Sequence, residues 1–328
     1  MTKPVEEMMK KVTTLAILAA SVLASSPAFA EYPERPITLI VPWSAGGGTD
    51  AVGRTIAEGL QEKLGKPVNV VNRTGAGGVV GHTAMADADA DGYTIGLATA
   101  EITTYKSMGT SQITYQDLTP IGLVNFDASA FNVAADSDWE DVKSALADIK
   151  ANPGKYKMSG FPVGAAYHLA FSGFLNDNGI DPKSVPVVPS QGAAPGFQEL
   201  AAGGVDIVPS SLPEAIPMRQ AKRVKTLAVL SDKRLDAFPD VPTVEEAIGK
   251  KAVGGTWRGI VTPKGVPDEV AKKLEAALKT VVESSAYTDF MSKRGFGVKW
   301  LPAADFEEFM KNADESNAAV IKKLGLGE

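Results

Sequence analysis

The amino-acid sequence predicts an α/β fold of two lobes, with mainly parallel sheets joined by two crossing strands. Its 328 residues suffice for two packed lobes. Short apolar strands alternate with amphipathic helices, the pattern typical of parallel sheets with crossover helices. Residues 120–133 hold two apolar runs with no helix between them, and residues 255–261 form another such run. We interpret these two segments as the crossings between the lobes.

The first βα units follow each other closely. A predicted strand at 36–41 leads into a glycine-rich loop, and apolar residues then recur at helical spacing from Val52 to Leu64. Gly65 is a typical helix stop. Further strands are predicted at 68–71 and 93–97, with a short helix through Met85 between them.

A second βα series follows the first crossing. A helix is predicted at 139–151, capped by Ser137 or Asp138. Strands are predicted at 157–159, 185–188, 205–208 and 226–230. Pro267 opens a long amphipathic helix, and the C-terminal helices are expected to pack back on the first lobe. The predicted division is residues 1–30 as a signal peptide, 31–127 plus 255–328 as lobe 1, and 128–254 as lobe 2.

The N-terminal segment has the order of a secretory signal. Lys10-Lys11 precede an apolar run at 12–24, and Ala28-Phe29-Ala30 supplies a small-x-small cleavage site. We predict cleavage after Ala30 and a periplasmic product. A membrane anchor is the alternative, but the run is shorter than the roughly 20 residues that span a bilayer. Met9 is a more typical first residue for such a leader than Met1.

Composition excludes several function classes. The chain has no cysteine, which rules out disulfides, thiolate metal sites and a cysteine nucleophile. Its two histidines are too few for a histidine-rich metal site. The formal net charge of −6 disfavours nucleic-acid binding. We therefore predict no metal, no cofactor and no nucleic-acid partner, and we take a monomer as the default state.

The loops that precede helices carry the chemistry of the sequence. They lie at 44–50, 72–78, 160–164, 189–192 and 209–211. Ligands of open parallel sheets bind outside the carboxyl ends of the strands, where helix starts expose unpaired N–H groups. Glycine lets the backbone approach a ligand closely. These loops predict a carboxylate site that needs no lysine or arginine, although flexible turns are the simpler interpretation.

Other motifs are missing or ambiguous. The run 75–78 lacks the GxGxxG order of a dinucleotide loop, and the sequence contains neither GxxxxGK[ST] nor GxSxG. Several polar side chains keep two interpretations, a structural one and a ligand contact. They are Asp50 as a helix cap, His82 and His168 as packed core histidines, and Ser210 and Ser211 as caps.

A series of short segments, in this order and spacing, resembles one known family. The segments are 32–37, 46–50, 72–78, 91–94, 152–155, 168–170, 227–229, 239–243 and Trp257 with Gly259 and Pro263. Together they span nearly the whole chain after residue 30. The chain resembles the solute-binding proteins of tripartite tricarboxylate transporters, known as the TctC or Bug family.

This resemblance implies a type II periplasmic-binding-protein fold that captures a small carboxylate between its lobes. The ligand would be a di- or tricarboxylate, an amino acid or an aromatic acid, delivered to integral membrane subunits of the transporter or presented to a sensor kinase. It implies no catalysis. The alternatives are a periplasmic enzyme acting on a small organic acid, a ligand sensor without a transport role, and an interaction protein with an empty cleft.

The resemblance also implies that the first two glycine loops enclose the proximal carboxylate. With the loops of the second lobe, the candidate ligand-binding residues are Trp43, Ser44, Ala45, Gly46, Gly47, Thr49, Asp50, Gly77, Gly78, Thr99, Phe161, Pro162, Val163, Gly164, His168, Gln191, Ser210 and Ser211. The stretch 161–167 and Trp43 depart from the family pattern toward an apolar wall. Arg258 departs too: we expect a solvated surface side chain, and if it points inward it would bind a second carboxylate.

Overall fold

The computed structural model describes residues 32–327, so the predicted signal peptide lies outside the described residues. The chain divides into Met1–Glu34 and a compact unit, Arg35–Glu328, and every contact discussed below lies within that second unit. Across residues 32–327, no helix combines the length and apolar character needed to cross a membrane.

Strands and helices alternate along the described chain. The strands are β1 Ile37–Val41, β2 Val68–Asn72, β3 Thr94–Thr99, β4 Leu118–Ala128, β5 Ala130–Ala134, β6 Ile207–Val208, β7 Val224–Val229, β8 Gly255–Pro263 and β9 Val298–Pro302. The α-helices are α1 Gly48–Leu64, α2 Val79–Ala86, α3 Val142–Ala151, α4 Ala166–Asp177, α5 Ala193–Ala201, α6 Leu212–Gln220, α7 Val244–Ile248, α8 Asp268–Val282, α9 Ser285–Lys293 and α10 Ala303–Leu324.

The larger sheet has six strands in the order β2-β1-β3-β8-β4-β9. β1 pairs with β2 and β3 in parallel, whereas β8 pairs with β3 and β4, and β9 with β4, in the antiparallel sense. The α/β class is confirmed, but the sheet is mixed rather than mainly parallel. The reason is that β8 runs antiparallel to both of its neighbours, β3 and β4.

The smaller sheet has the order β6-β5-β7, with β5 antiparallel to both neighbours. Single parallel bridges from Met158 to Val187 and to Ile207 extend it. The strands predicted at 157–159 and 185–188 are therefore reduced to isolated pairings. Pro186 explains part of this, because proline has no N–H to donate to a ladder.

The two sheets are connected where the sequence predicts crossings. β4 runs into β5 with only Ser129 between them, and the chain returns to the larger sheet at Gly255. The N–H of Ser129 donates to the carbonyl of Gly254 at 2.8 Å, so the two passages of the chain are hydrogen-bonded to each other. Because β4 is part of the larger sheet and β5 of the smaller one, this pair of passages joins the two.

Each sheet carries its own apolar core. α1 buries Val52, Ile56 and Leu60 against the larger sheet, the positions that the helical spacing indicates. In the smaller sheet, Phe131 packs edge-on against Phe171 at 4.9 Å between ring centroids. Full burial of side chains of this size contributes about 1.5–3 kcal/mol each. Two cores of this kind hold the loops between them in fixed positions.

The helix predicted at 139–151 begins three residues later than expected, at Val142. Asp141 caps α3, because its carboxylate accepts from the N–H of Ser144 at 2.7 Å while the Ser144 hydroxyl accepts from the Asp141 N–H. The predicted caps Ser137 and Asp138 lie further upstream. Trp139 is instead buried in the core of the smaller sheet.

Candidate ligand-binding site

Two helix starts, one from each sheet, open onto the same cleft. Gly47, Gly48 and Thr49 line it at the start of α1, and Gly192, Ala193 and Ala194 line it at the start of α5. The cleft is partly open to solvent, and the space between its walls, open solvent included, is about 440 Å³. The residues before these helices are glycines that supply no side-chain cap to either helix. The first-turn N–H groups of both helices therefore lie at the cleft with the positive ends of the helix dipoles.

The remaining lining is aromatic and charged. Trp43, Phe161 and Tyr167 contribute three aromatic side chains, and Glu101, Glu214 and Arg258 contribute the charges. Ser44, Gly160 and Thr256 complete the lining. Trp43, Ser44, Gly47, Thr49 and Phe161 are thus the predicted site residues that the structure brings to this cleft.

Trp43 is fixed between the glycine loop at 72–78 and Gly192, which precedes α5. Its indole Nε1–H donates to the Thr99 hydroxyl at 3.1 Å. A Cβ atom built on Gly78 would lie 3.3 Å from the indole ring, and one on Gly192 would lie 3.9 Å from it. The ring therefore packs directly over both glycines. Gly78 has φ +92, which L side chains rarely adopt.

Asp50 orders the first glycine loop rather than facing the cleft. Its carboxylate accepts from the Gly46 N–H, from Arg54 Nε and from Asn72 Nδ2, each at 2.9 Å. Although burial opposes it, these bonds lower the pKa of the Asp50 carboxyl. Ala45 and Gly46 are exposed and lie outside the cleft lining.

The second glycine loop lines a neighbouring hollow that is partly open to solvent and shares Glu101 with the cleft. The predicted residues that line this hollow are Gly77, Pro162, Val163, Gly164 and Gln191. Gly78 of the same loop packs against the Trp43 indole, which lines the cleft. Loops of the two sheets meet here, since Ser44 Oγ donates to the Gln191 carbonyl at 3.1 Å.

Both histidines are buried and structural. His82 Nε2 accepts from the Thr99 N–H at 3.1 Å, which leaves Nδ1 to carry the proton and donate to the Gly78 carbonyl at 2.9 Å. His168 Nδ1 accepts from the Gly164 N–H at 2.9 Å, and its ring stacks on Phe161. Burial lowers the pKa of each to about 4. Neither lines the cleft.

Arg258 corrects the expectation of a solvated surface side chain, because only 1% of its surface is exposed. Its Nε donates to Thr49 Oγ1 at 2.9 Å, and Nη1 donates to Asn125 and Asp127. Nη2 pairs with Glu214 at 3.1 Å. Burial alone would lower the pKa of Arg258, but the charges of Asp127 and Glu214 raise it overall. Arg258 can be buried on β8 because two carboxylates, those of Asp127 and Glu214, lie next to its charge.

Ser210 and Ser211 face Glu214 rather than the cleft. Both hydroxyls donate to Glu214 Oε2, as does the Tyr167 hydroxyl at 2.7 Å. Gly48 approaches this carboxylate so closely that a Cβ would lie 2.5 Å from Glu214 Oε1. The close approach requires glycine at the start of α1.

Glu101 is a second carboxylate at the cleft that sequence reasoning missed. Its Oε2 accepts from the Thr99 hydroxyl at 2.5 Å, and its Oε1 accepts from the Ala166 N–H at 3.2 Å. Burial raises the pKa of Glu101, and the Thr99 hydrogen bond opposes that shift. Among residues 32–327, no group of three or more His, Cys, Asp or Glu side chains is arranged to hold a metal ion.

Comparison with known proteins identifies the family. The model of the tripartite tricarboxylate transporter family receptor, TctC, matches residues 52–326. The chain belongs to this family. A UPF0065 protein of Bordetella pertussis is 33% identical over 325 residues, which cover 97% of this chain and 98% of that protein. The TctC family consists of periplasmic solute-binding receptors that bind small carboxylates and work with transporter membrane subunits.

Solved structures of TctC and Bug proteins share the fold. The periplasmic binding protein BugD superposes with a TM-score of 0.84 at 31% identity, over 90% of this chain and 99% of that one. The R. palustris protein Rpa4515, solved with adipate, has a TM-score of 0.82 at 25% identity, with the same shares covered. These similarities confirm the type II periplasmic-binding-protein fold that the sequence motifs imply.

Proposed function

We propose that this TctC-family chain is a receptor that captures a small carboxylate in the cleft between α1 and α5. The observation that carries the proposal is the meeting of two helix starts without side-chain caps, one from each sheet, at one cavity. Unpaired backbone N–H groups and two positive dipole ends form an anion site. The fold and the carboxylates bound by family members support the same conclusion.

Capture would be accompanied by closure of two lobes, 31–127 plus 255–328 and 128–254, about the crossings at Ser129 and Gly254. The contact of Ser44 with Gln191 joins loops of the two sheets, and opening of the lobes would break it. A hinge at a few strand-end residues is a common way to close around a ligand. The lobe boundaries stay a prediction.

The proposal extends to the place and partners of the protein. Export would be followed by cleavage after Ala30, and the ligand-loaded protein would dock on integral membrane subunits of a tripartite transporter. No chemical step is part of the proposal, so the ligand leaves unchanged. Recovery of an intact carboxylate after prolonged incubation with the protein tests this point, and formation of a product would contradict it.

Matched ligand pairs test the anion site most directly. Benzoate and hexanoate are compared with benzamide and hexanamide, which have nearly the same shape and no charge, in a thermal-shift assay. A ligand at 100 times its dissociation constant adds about 2.7 kcal/mol to the free energy of unfolding. We expect stabilisation by a carboxylate and none by its amide. Equal stabilisation by both members would contradict the proposal.

A substitution at the start of α5 provides the matched variant. Ala194→Asp places a carboxylate at the helix start in competition with the ligand, whereas Ala194→Asn adds the same shape without the charge. We expect loss of carboxylate binding in Ala194→Asp and weaker but measurable binding in Ala194→Asn. Equal binding by the two variants would remove the N-terminus of α5 from the site.

A further inference from the structure

Four helix starts lie at or beside the cleft, and the chain's own carboxylates lie at three of them. Glu101 Oε1 accepts from the Ala166 N–H at the first residue of α4. Glu214 lies in the first turn of α6 and accepts from the Ser210 and Ser211 hydroxyls. Asp50 likewise lies in the first turn of α1, where it accepts from the Gly46 N–H, whereas the first turn of α5 holds no acidic side chain. The start of α5 is therefore the one of the four at which no carboxylate of the described chain is bound, and it faces Gly47, Gly48 and Thr49 in the cleft.

The Arg258 guanidinium has few N–H donors left for a ligand. Four hydrogen bonds, to Thr49, Asn125, Asp127 and Glu214, occupy four of the five N–H donors of Arg258. Two of these partners are carboxylates that are themselves buried. A bidentate bond to a second ligand carboxylate would require Arg258 to release one of them. We therefore expect Arg258 not to bind a second carboxylate of the ligand.

The charged side chains that line the cleft are predominantly negative. Glu101 and Glu214 line the cleft with Arg258, and Asp127 forms an ion pair with the Arg258 guanidinium. Three carboxyl groups thus face one guanidinium within the described residues. An ionised group of the same sign brought among them is repelled, and the low polarity around the three aromatic side chains strengthens that repulsion.

We propose that the cleft selects monocarboxylates whose remaining body is uncharged or cationic, and that Glu101 is a specificity-determining residue that excludes a second ionised carboxylate. The inference rests on the proposed function, since it assumes that one carboxylate binds between α1 and α5. The body of the ligand lies against Trp43, Phe161 and Tyr167, with its far end toward Glu101. Adipate, named in the structure of the R. palustris protein, then becomes a poor ligand here.

Three six-carbon acids separate charge from size in one calorimetric experiment: hexanoate, adipate and 6-aminohexanoate. We expect hexanoate to bind at least tenfold more tightly than adipate, and 6-aminohexanoate to bind more tightly than adipate. 6-Aminohexanoate is included because a site that excludes every charged end would bind it as weakly as it binds adipate. Repulsion by the carboxylates of the cleft would weaken the binding of adipate alone. Benzoate and terephthalate provide a second pair with an aromatic body.

Glu101→Gln keeps the size of the side chain and removes its charge; its carbonyl can still accept from the Ala166 N–H, while its NH2 group replaces the oxygen that accepts from the Thr99 hydroxyl. We expect the hexanoate-to-adipate affinity ratio to fall at least fivefold in this variant, and the preference of 6-aminohexanoate over adipate to fall with it. Glu62→Gln, on the exposed face of α1, changes the net charge equally and is expected to leave both ratios unchanged.

The outcomes distinguish the inference from the function on which it rests. Binding of adipate as tightly as hexanoate by the unaltered protein overturns the inference and leaves the receptor function standing. An unchanged ratio in Glu101→Gln overturns the role of Glu101. Absence of binding by every monocarboxylate and dicarboxylate tested overturns the proposed function itself.

Discussion

Arg258 of β8 and Glu214 of α6 form a buried ion pair, with 3.1 Å between Nη2 and Oε1, that connects the larger sheet to a helix of the smaller one. Asp127 of β4 pairs with the same guanidinium. The cation is thus shared between the strand that crosses to the smaller sheet and the helix beyond it. Removal of the arginine side chain leaves two buried carboxylates without a counter-charge.

Arg258→Met is expected to lower the free energy of unfolding by about 3–5 kcal/mol, because an unpaired buried charge is costly. Urea denaturation followed by circular dichroism measures the change. Arg35→Met is the control, since Arg35 pairs with Asp91 at the surface and such pairs contribute about 0–1 kcal/mol. Similar losses in the two variants would show that the Arg258 cluster has no special contribution.

The histidines predict a loss of stability in mild acid. The pKa of His82 and that of His168 are each about 4 in the folded protein, because burial disfavours the charged ring. The unfolded chain takes up these protons near pH 6.5. Between these values the unfolded state binds more protons, so the stability falls as the pH decreases from about 6.5 toward 4, by up to about 1.4 kcal/mol per unit for each histidine.

His82→Gln isolates this contribution. Burial raises the pKa of Glu101 and that of Asp127, and raised carboxyl pKa values act with the opposite sign, so the difference between variant and parent is the informative quantity. We expect the variant to depend less steeply on pH between 4.5 and 6.5 in urea unfolding. Parallel pH profiles for the two proteins would mean that His82 binds its proton as readily in the folded protein as in the unfolded chain.

Gly78→Ala tests the close packing under Trp43. A Cβ there would lie 2.8 Å from the Tyr105 hydroxyl and 3.3 Å from the indole, at φ +92. Gly154→Ala is the matched control, because φ is +82 with no atom within 4 Å of the added Cβ. Backbone strain of about 1–3 kcal/mol is common to both. We expect Gly78→Ala to lose more stability and also to weaken carboxylate binding, and equal behaviour would argue against the packing.

Trp43 is expected to report ligand binding through its fluorescence. It lines the cleft, whereas Trp139 and Trp257 are buried in the cores. In Trp43→Phe the ligand-induced change in emission is expected to disappear, while calorimetry shows binding weakened about fivefold by loss of the Thr99 hydrogen bond. Trp300→Phe is the control and keeps the signal. A signal that persists in Trp43→Phe would place the ligand elsewhere.

The sequence predicted the parts of this site that depend on local pattern. Glycines that follow strands and precede helices are recognisable one loop at a time, so the first loop and Phe161 were predicted to be near the ligand. Glu101 and Glu214 are 113 positions apart along the chain. Nothing local marks either one, because each becomes part of the cleft only when the loops of the two sheets meet.

The errors have a similar cause. Arg258 looked like a surface residue because its partners, Asp127 and Glu214, lie on separate segments. Ser210 and Ser211 have two interpretations from sequence, as caps or as ligand donors, but both hydroxyls donate to Glu214, and Ser211 makes no side-chain cap bond to α6. Gly192 was predicted as part of a loop but not as a residue of the site. The signal was present, since Gly192 directly precedes a helix as Gly47 does.

The groups proposed to bind the carboxylate at the starts of α1 and α5 belong to the main chain, and this affects how the receptor can evolve. Replacement of a side chain leaves an amide N–H in place, with proline as the exception. The aromatic and acidic side chains around the cleft can therefore vary from one descendant to the next without loss of carboxylate binding. Single substitutions in these side chains can then change which carboxylate is preferred, while each intermediate variant still binds a carboxylate.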